Sequence, residues 1–299
     1  MLRKTLAALG LLTWMLAAGP ADAQDKIRVI ATFSILADLA QNVGGTAVEV
    51  GSLVGPNGDA HAYTPSPADA KRLSEAKLVL VNGLGFEGWI DRLVKASGTK
   101  ATVVVAAKGV KPRQMKDEDG HDHGKSDPHA WQSVANAKIY IANIRDALVK
   151  VDPAGKAAYE ANAAAYLAKL DALENEIKTT IAAIPADRRK IITTHDAFGY
   201  FAAAYSMQFI APQGVSTEAD VSARDVAKII RQIKTQKIPA VFMENVTDPR
   251  LMKRIAEESG AKIGGKLYSD ALSEPGGPAA TYIDMMRNNL KEFRGALMS

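Results

Sequence analysis

The sequence predicts an α/β protein of two similar lobes, each a mainly parallel sheet flanked by helices, joined by one long rigid α-helix. Three observations carry this expectation. Short β-branched runs alternate with helix-period segments through the first half of the chain, one unbroken amphipathic stretch follows, and a second strand–helix series runs to the end. Strands alternating with helices need crossover connections, which give parallel sheets covered on both faces. There is no cysteine, so no disulfide helps and the core alone must hold the fold; a hydrophobic fraction of 47% is enough for that.

The first residues, "MLRKTLAALGLLTWMLAAGPADAQ", have a basic start (Arg3, Lys4), an apolar run from about Leu6 to Ala18 and a small-x-small ending. These are the three regions of a cleavable secretory signal, here residues 1–23, and the apolar run falls short of the ~20 residues of a membrane span. An exported protein without an N-terminal cysteine to carry a lipid suits a periplasm.

The first lobe is expected over 24–153. "KIRVIATF" (26–33) reads as a strand and "SILADLAQNVGG" (34–45) as a helix opening on a capping serine and closing on glycine. "VEVGSLVG" (48–55) is a second strand, and "SPADAKRLSEA" (66–76) a helix with Pro67 at its first position. "KLVLVNG" (77–83) is a strand, "EGWIDRLVKAS" (87–97) a helix and "ATVVVAA" (101–107) a strand. Over 154–184 Tyr159, Ala163, Tyr166, Leu170, Leu173, Ile177 and Ile181 recur at steps of three and four, the apolar stripe of one long helix stopped by Pro185. The second lobe, 185–299, repeats the pattern: strands over 189–195, 207–212, 240–245 and 261–268, and helices over 197–206, 222–236, 249–260 and from about Ala279. Ligands of open α/β sheets bind beyond the carboxyl ends of the strands, so facing lobes place a site in the cleft between them.

Five histidines are present, and three fall at such addresses: His61 in "DAHAYTPSPAD", His129 in "DPHAWQSVANA" and His195 in "THDAFGYF". One carboxylate, Asp270 in "YSDALSEPGG", shares the pattern, at intervals of 68, 66 and 75 residues. Scattered histidines are ordinarily surface or hydrogen-bonded residues. Agreement of four addresses instead suggests three imidazoles and a carboxylate around a divalent transition metal.

These four segments, with "AFGYFAAAYSM" and "GGPAATYIDMM" beside them, resemble the ligand segments of the cluster A-I (cluster 9) metal-binding receptors of ABC importers, the zinc receptors of the ZnuA and TroA type above all. The resemblance covers the chain beyond the signal, with the motifs in the family's order. It implies a periplasmic solute-binding protein, not an enzyme, that captures Zn²⁺ through His61, His129, His195 and Asp270. Its partners would be an inner-membrane ABC permease with its cytoplasmic ATPase, with a periplasmic metallochaperone as a further candidate. Manganese receptors of this family commonly carry Glu at the third position; His195 there favours zinc, with Mn²⁺ as the alternative cargo. The long helix should restrict hinge motion, leaving release to local loop movement.

His121 and His123 stand apart. With Asp119 and Asp122 in "KDEDGHDHGKSDPH" they resemble a short form of the His- and acid-rich loop of zinc receptors, an accessory metal loop, against the plain reading of a solvated acidic loop. Glu244, in "AVFMENVTDP", is a candidate to hold a ligating histidine from behind, as are Asp59 and Asp196; Trp131 and Phe198 are expected beside the site. A rival from another class is a secreted zinc hydrolase with water in place of Asp270 and Glu244 as base. Three motifs carry nothing. "GLGFEG" (83–88) lacks the later acidic residue of a dinucleotide site, "GAKIGGKL" (260–267) has Leu267 where a phosphate loop has Ser or Thr, and no H-E-x-x-H is present. The +4 formal charge is interspersed, which gives no surface for nucleic acid, and a monomer is expected.

Overall fold

A computed structural model describes residues 25–116 and 122–298. The expected export signal therefore lies outside the described residues. No helix among those described is long and apolar enough to cross a membrane.

In the first lobe β1 (Ile27–Phe33), β2 (Val48–Val54), β3 (Leu78–Val81) and β4 (Thr102–Val105) form one parallel sheet in the order β2-β1-β3-β4. Helices α1 (Ser34–Gly44), α2 (Pro67–Glu75), α3 (Ile90–Ser97) and α4 (Val134–Val151) flank it. A hairpin of β5 (Gln114–Lys116) and β6 (Asp122–Ser126) precedes α4. In the second lobe β7 (Lys190–Ile192), β8 (Gln208–Ile210), β9 (Ala240–Glu244) and β10 (Lys262–Leu267) pair in parallel in the order β10-β9-β7-β8. Numbered within its lobe this is the first sheet's order reversed end for end, so the two lobes repeat one topology. Between them runs α5 (Lys156–Ala183), 28 residues and hence ~42 Å long. Helices α6 (Gly199–Tyr205), α7 (Ala223–Gln236), α8 (Arg250–Ser259) and α9 (Tyr282–Leu297) complete the second lobe.

All seven residues of the α5 stripe are buried, from Tyr159 to Ile181. They join a hydrophobic core that continues from the first lobe into the near face of the second, through Phe242, Leu267, Met285 and Phe293. A separate cluster, Ile192 with Ile229, Ile233, Val241 and Met252, fills the far face of the second sheet. A core shared across the lobes opposes wide hinge motion, because separating them would expose apolar surface at roughly 25 cal/mol per Å².

Three local expectations change. Ser34 is the first residue of α1 and makes no cap; its hydroxyl oxygen accepts the N–H of Leu272 at 3.0 Å, so a tertiary donor replaces the local one. Helix α3 begins at Ile90, not 87, because Gly83, Leu84 and Gly85 all take positive φ and Glu87 turns inward to accept the N–H groups of Asn82 and Gly83. Strand β7 stops at Ile192; the Thr193 N–H still bonds the Ile210 carbonyl, and the amides that follow, Thr194 and His195, turn to the carboxylate of Glu244. The hairpin was not legible: its charged sequence lacks the alternation of a half-buried strand. The two rejected glycine motifs form a turn at 83–88 and part of β10, and Ser66 with Asp69 closes a capping box on α2.

Candidate metal centre

Each of the four predicted residues follows a strand, and two of them are fixed by their own loops. Asp59 accepts the backbone N–H of His61 at 2.9 Å, and Asp127 accepts that of His129 at the same distance. Both turns come from one local pattern, D-x-H-A, in which an aspartate closes an Asx turn onto the histidine two residues on. His195 follows β7, and Asp270 follows β10.

The fold brings these four together. Their donor atoms lie within 4.8 Å of one another, the single such group among the described residues. The Nε2 atoms of His61 and His129 are 3.2 Å apart. Asp270 Oδ2 lies 3.0 Å from His195 Nε2 and 3.3 Å from His61 Nε2, and Oδ1 lies 3.6 Å from His129 Nε2. Ligands about 2.0 Å from a tetrahedral ion are about 3.3 Å from each other, which these separations bracket. The rings of His129 and His195 and the carboxylate of Asp270 are fully buried, and the side chain of His61 is 5% exposed.

Two carboxylates stand behind the rings. Asp127 Oδ1 is 2.9 Å from His129 Nδ1, and Glu244 Oε2 is 2.5 Å from His195 Nδ1. Each contact leaves Nε2 facing the cluster. Burial works against the charged form of His129, but Asp270 and Asp127 outweigh it and hold the ring up at about 9. Burial likewise opposes charge on His195, and Glu244 and Asp270 carry it well above the ordinary value. Asp270 is the counterpart: burial would raise it, yet His195 and His129 keep it well below the usual carboxylate range.

Among the accessory residues, Asp119 and His121 lie outside the described residues, and Asp122 and His123 fall on the backbone of β6. Asp196 is exposed. Trp131 packs 5.3 Å from the His129 ring and donates its indole N–H to Ser269, next to Asp270. Phe198 does not reach the site; it stacks on Phe209 in the second lobe's aromatic core. Phe86 takes the place expected of it, with its ring 4.7 Å from His61 and 6.0 Å from His129. Asp127 and Phe86 were missed. The first was readable as the second D-x-H-A; the second gave no local signal. A hydrolytic arrangement does not fit, because Asp270 sits inside the cluster and Glu244 is held by Thr194, His195 and the His195 ring rather than facing open space.

Comparison with known proteins shows the family. The family model described as "Zinc-uptake complex component A periplasmic", ZnuA, matches residues 29–296. The iron-binding protein YfeA of Yersinia pestis is 36% identical over 267 residues, 89% of this chain and 85% of the relative. The manganese ABC transporter substrate-binding lipoprotein PsaA of Streptococcus pneumoniae is 33% identical over 294 residues, 96% of this chain and 94% of the relative. The solved structure of the periplasmic zinc-binding protein TroA from Treponema pallidum superposes with a TM-score of 0.85 at 29% identity, covering 91% of this chain and 99% of that one. Capture rather than turnover is the common thread, so this protein is a receptor and not an enzyme. The chain belongs to the ZnuA family of periplasmic metal-binding receptors, the substrate-binding components of ABC importers.

Proposed function

We propose that the protein captures Zn²⁺ between its lobes, through Nε2 of His61, His129 and His195 and the carboxylate of Asp270, and delivers it to an inner-membrane permease driven by a cytoplasmic ATPase. Residues 1–23 serve as the export signal, with lobes over 24–153 and 185–299 and the linking helix over 154–184. The observation that carries the zinc reading is that four protein donors lie within 4.8 Å of one another, four of their six separations at 3.0–3.6 Å, which suits a four-coordinate ion with no open position for water. Three imidazoles and one carboxylate are also a borderline-soft set that suits zinc better than manganese.

One observation favours Mn²⁺ as a second reading. Asp270 turns both oxygens into the cluster, and Oδ1 has no hydrogen-bond partner among the described residues. A bidentate carboxylate would raise the coordination number toward that of a larger, harder ion. Nearly any such site binds Zn²⁺ more tightly than Mn²⁺, so affinity alone does not discriminate. The test is therefore stoichiometry and coordination number on metal-stripped protein, by competition titration and X-ray absorption. One four-coordinate Zn²⁺ per chain, lost in His195→Ala, supports the proposal. Five or six donors around the natively acquired ion support manganese, and binding unchanged by His195→Ala refutes the site.

A further inference from the structure

The loop between β8 and α7 crosses the mouth of the cluster. Its Val215, Ser216 and Glu218 face Leu84, Phe86 and His61 across a cavity of about 520 Å³. One end of this strap is tied to the His195 segment: Gln213 N–H donates to the Thr194 carbonyl at 3.2 Å, and Asp196 N–H donates to the Gly214 carbonyl at 3.1 Å. Its middle reaches the other lobe, where the Thr217 hydroxyl donates to Asp59 Oδ2 at 2.6 Å, a contact between residues 158 apart. Asp59 uses its other oxygen, Oδ1, for the N–H groups of His61 and Ala62, at 2.9 and 3.4 Å. One carboxylate therefore joins the second lobe's strap to the first lobe's ligand turn. The Gln213 side chain stiffens the strap from within, donating to the carbonyls of Thr217 and Ala219.

We propose that Thr217 is a positioning residue for His61, acting through Asp59 as a latch that sets how fast the bound ion leaves. This rests on the reading of His61 as a ligand. His61 is the one member of the cluster that lines the cavity, so it is the ligand whose departure opens a path outward. With the latch made, Asp59 is fixed on two sides and holds the His61 turn against the cluster. With it broken, Asp59 and the turn are released together while the other three ligands keep their own supports. In the metal-free protein no bond from an ion to His61 has to break, so entry is affected less than release.

The test is stopped-flow transfer of Zn²⁺ from the loaded full chain to excess chelator, for Thr217→Val, Thr217→Ala and Thr217→Ser, with amide hydrogen exchange of residues 59–62 on the metal-free proteins. Loss of a half-buried hydrogen bond to a carboxylate should accelerate release about tenfold, about 1.4 kcal/mol, in the Val and Ala variants. Association should stay within twofold, exchange at 59–62 should quicken, and the Ser variant, which keeps the hydroxyl, should match the parent in all three. Release at the parent rate in both the Val and Ala variants, or acceleration in the Ser variant, overturns the latch. His61→Ala measured alongside separates the two readings. If it binds like the parent, His61 is no ligand; if it loses the ion while Thr217→Val releases normally, only the latch is wrong.

Discussion

Glu244→Gln is the most informative single change at the site. Glu244 is buried, with Oε1 accepting the N–H groups of Thr194 and His195 at 2.7 and 3.0 Å and Oε2 against His195 Nδ1 at 2.5 Å. Glutamine has the same shape but only one acceptor. If its oxygen keeps the two backbone donors, its NH₂ faces an Nδ1–H that must stay protonated when Nε2 binds an ion. If it turns over, the ring is served and two buried backbone N–H groups are orphaned. Either way the loss falls on the orientation and basicity of His195, and affinity should drop about 10- to 100-fold, about 1.4–2.7 kcal/mol. The change also lowers the affinity of His195 for protons, since Glu244 is the larger of the two charges that raise it. The deficit should therefore shrink as pH falls. Chelator competition at several pH values, with melting of the metal-free protein as a fold control, reads both effects. Affinity within twofold of the parent at neutral pH would refute the argument.

Three further outcomes are expected. Metal-free His129 is held at about 9, above the ordinary ~6.5, so at neutral pH its ring is charged and metal binding must displace a proton. Zn²⁺ affinity should rise with pH through about 9 as His129 gives up its proton, while the stabilisation from charged His129, complete below pH ~6.5, is lost as pH rises through about 9; chelator competition and melting curves against pH should run in opposite directions. Trp131→Phe removes the indole donor to Ser269 but leaves that carbonyl the Gln132 amide at 2.8 Å, so denaturant titration should show a loss of about 1 kcal/mol beyond any cavity effect, with one ion still bound per chain. Deleting 117–124 should leave one tight site in equilibrium titration and alter only loading rate or a weaker second ion; loss of tight binding would make the accessory histidines primary.

Much of the fold is readable in the sequence because its signals are local. The α5 stripe shows at three- and four-residue steps, Pro185 ends it, and Ser66, Pro67 and Asp69 announce α2 within four residues. The gathering of His61, His129, His195 and Asp270 was legible for a related reason: each follows a strand, and two share the turn D-x-H-A, which folds on its own contacts. The Ser34 cap failed because a backbone donor 238 residues away competes for the same hydroxyl. The strand-end address of Glu244 made it a candidate to hold a ligating histidine, but that the histidine is His195, 49 residues earlier, follows from β7 and β9 being neighbours in the sheet.

The sequence by itself determined that this protein has strands feeding loops that carry three imidazoles and a carboxylate, because backbone propensity, capping and apolar period act over a few residues. Only the tertiary structure decided that the donor atoms of those groups meet within 4.8 Å of one another, that Asp127 and Glu244 hold two of the rings, that Phe86 rather than Phe198 lies against them, and that Thr217 reaches Asp59 across the cleft. Those contacts join residues far apart in the chain, and they exist because one continuous core fixes both sheets against α5 and sets the distance between the loops at their ends.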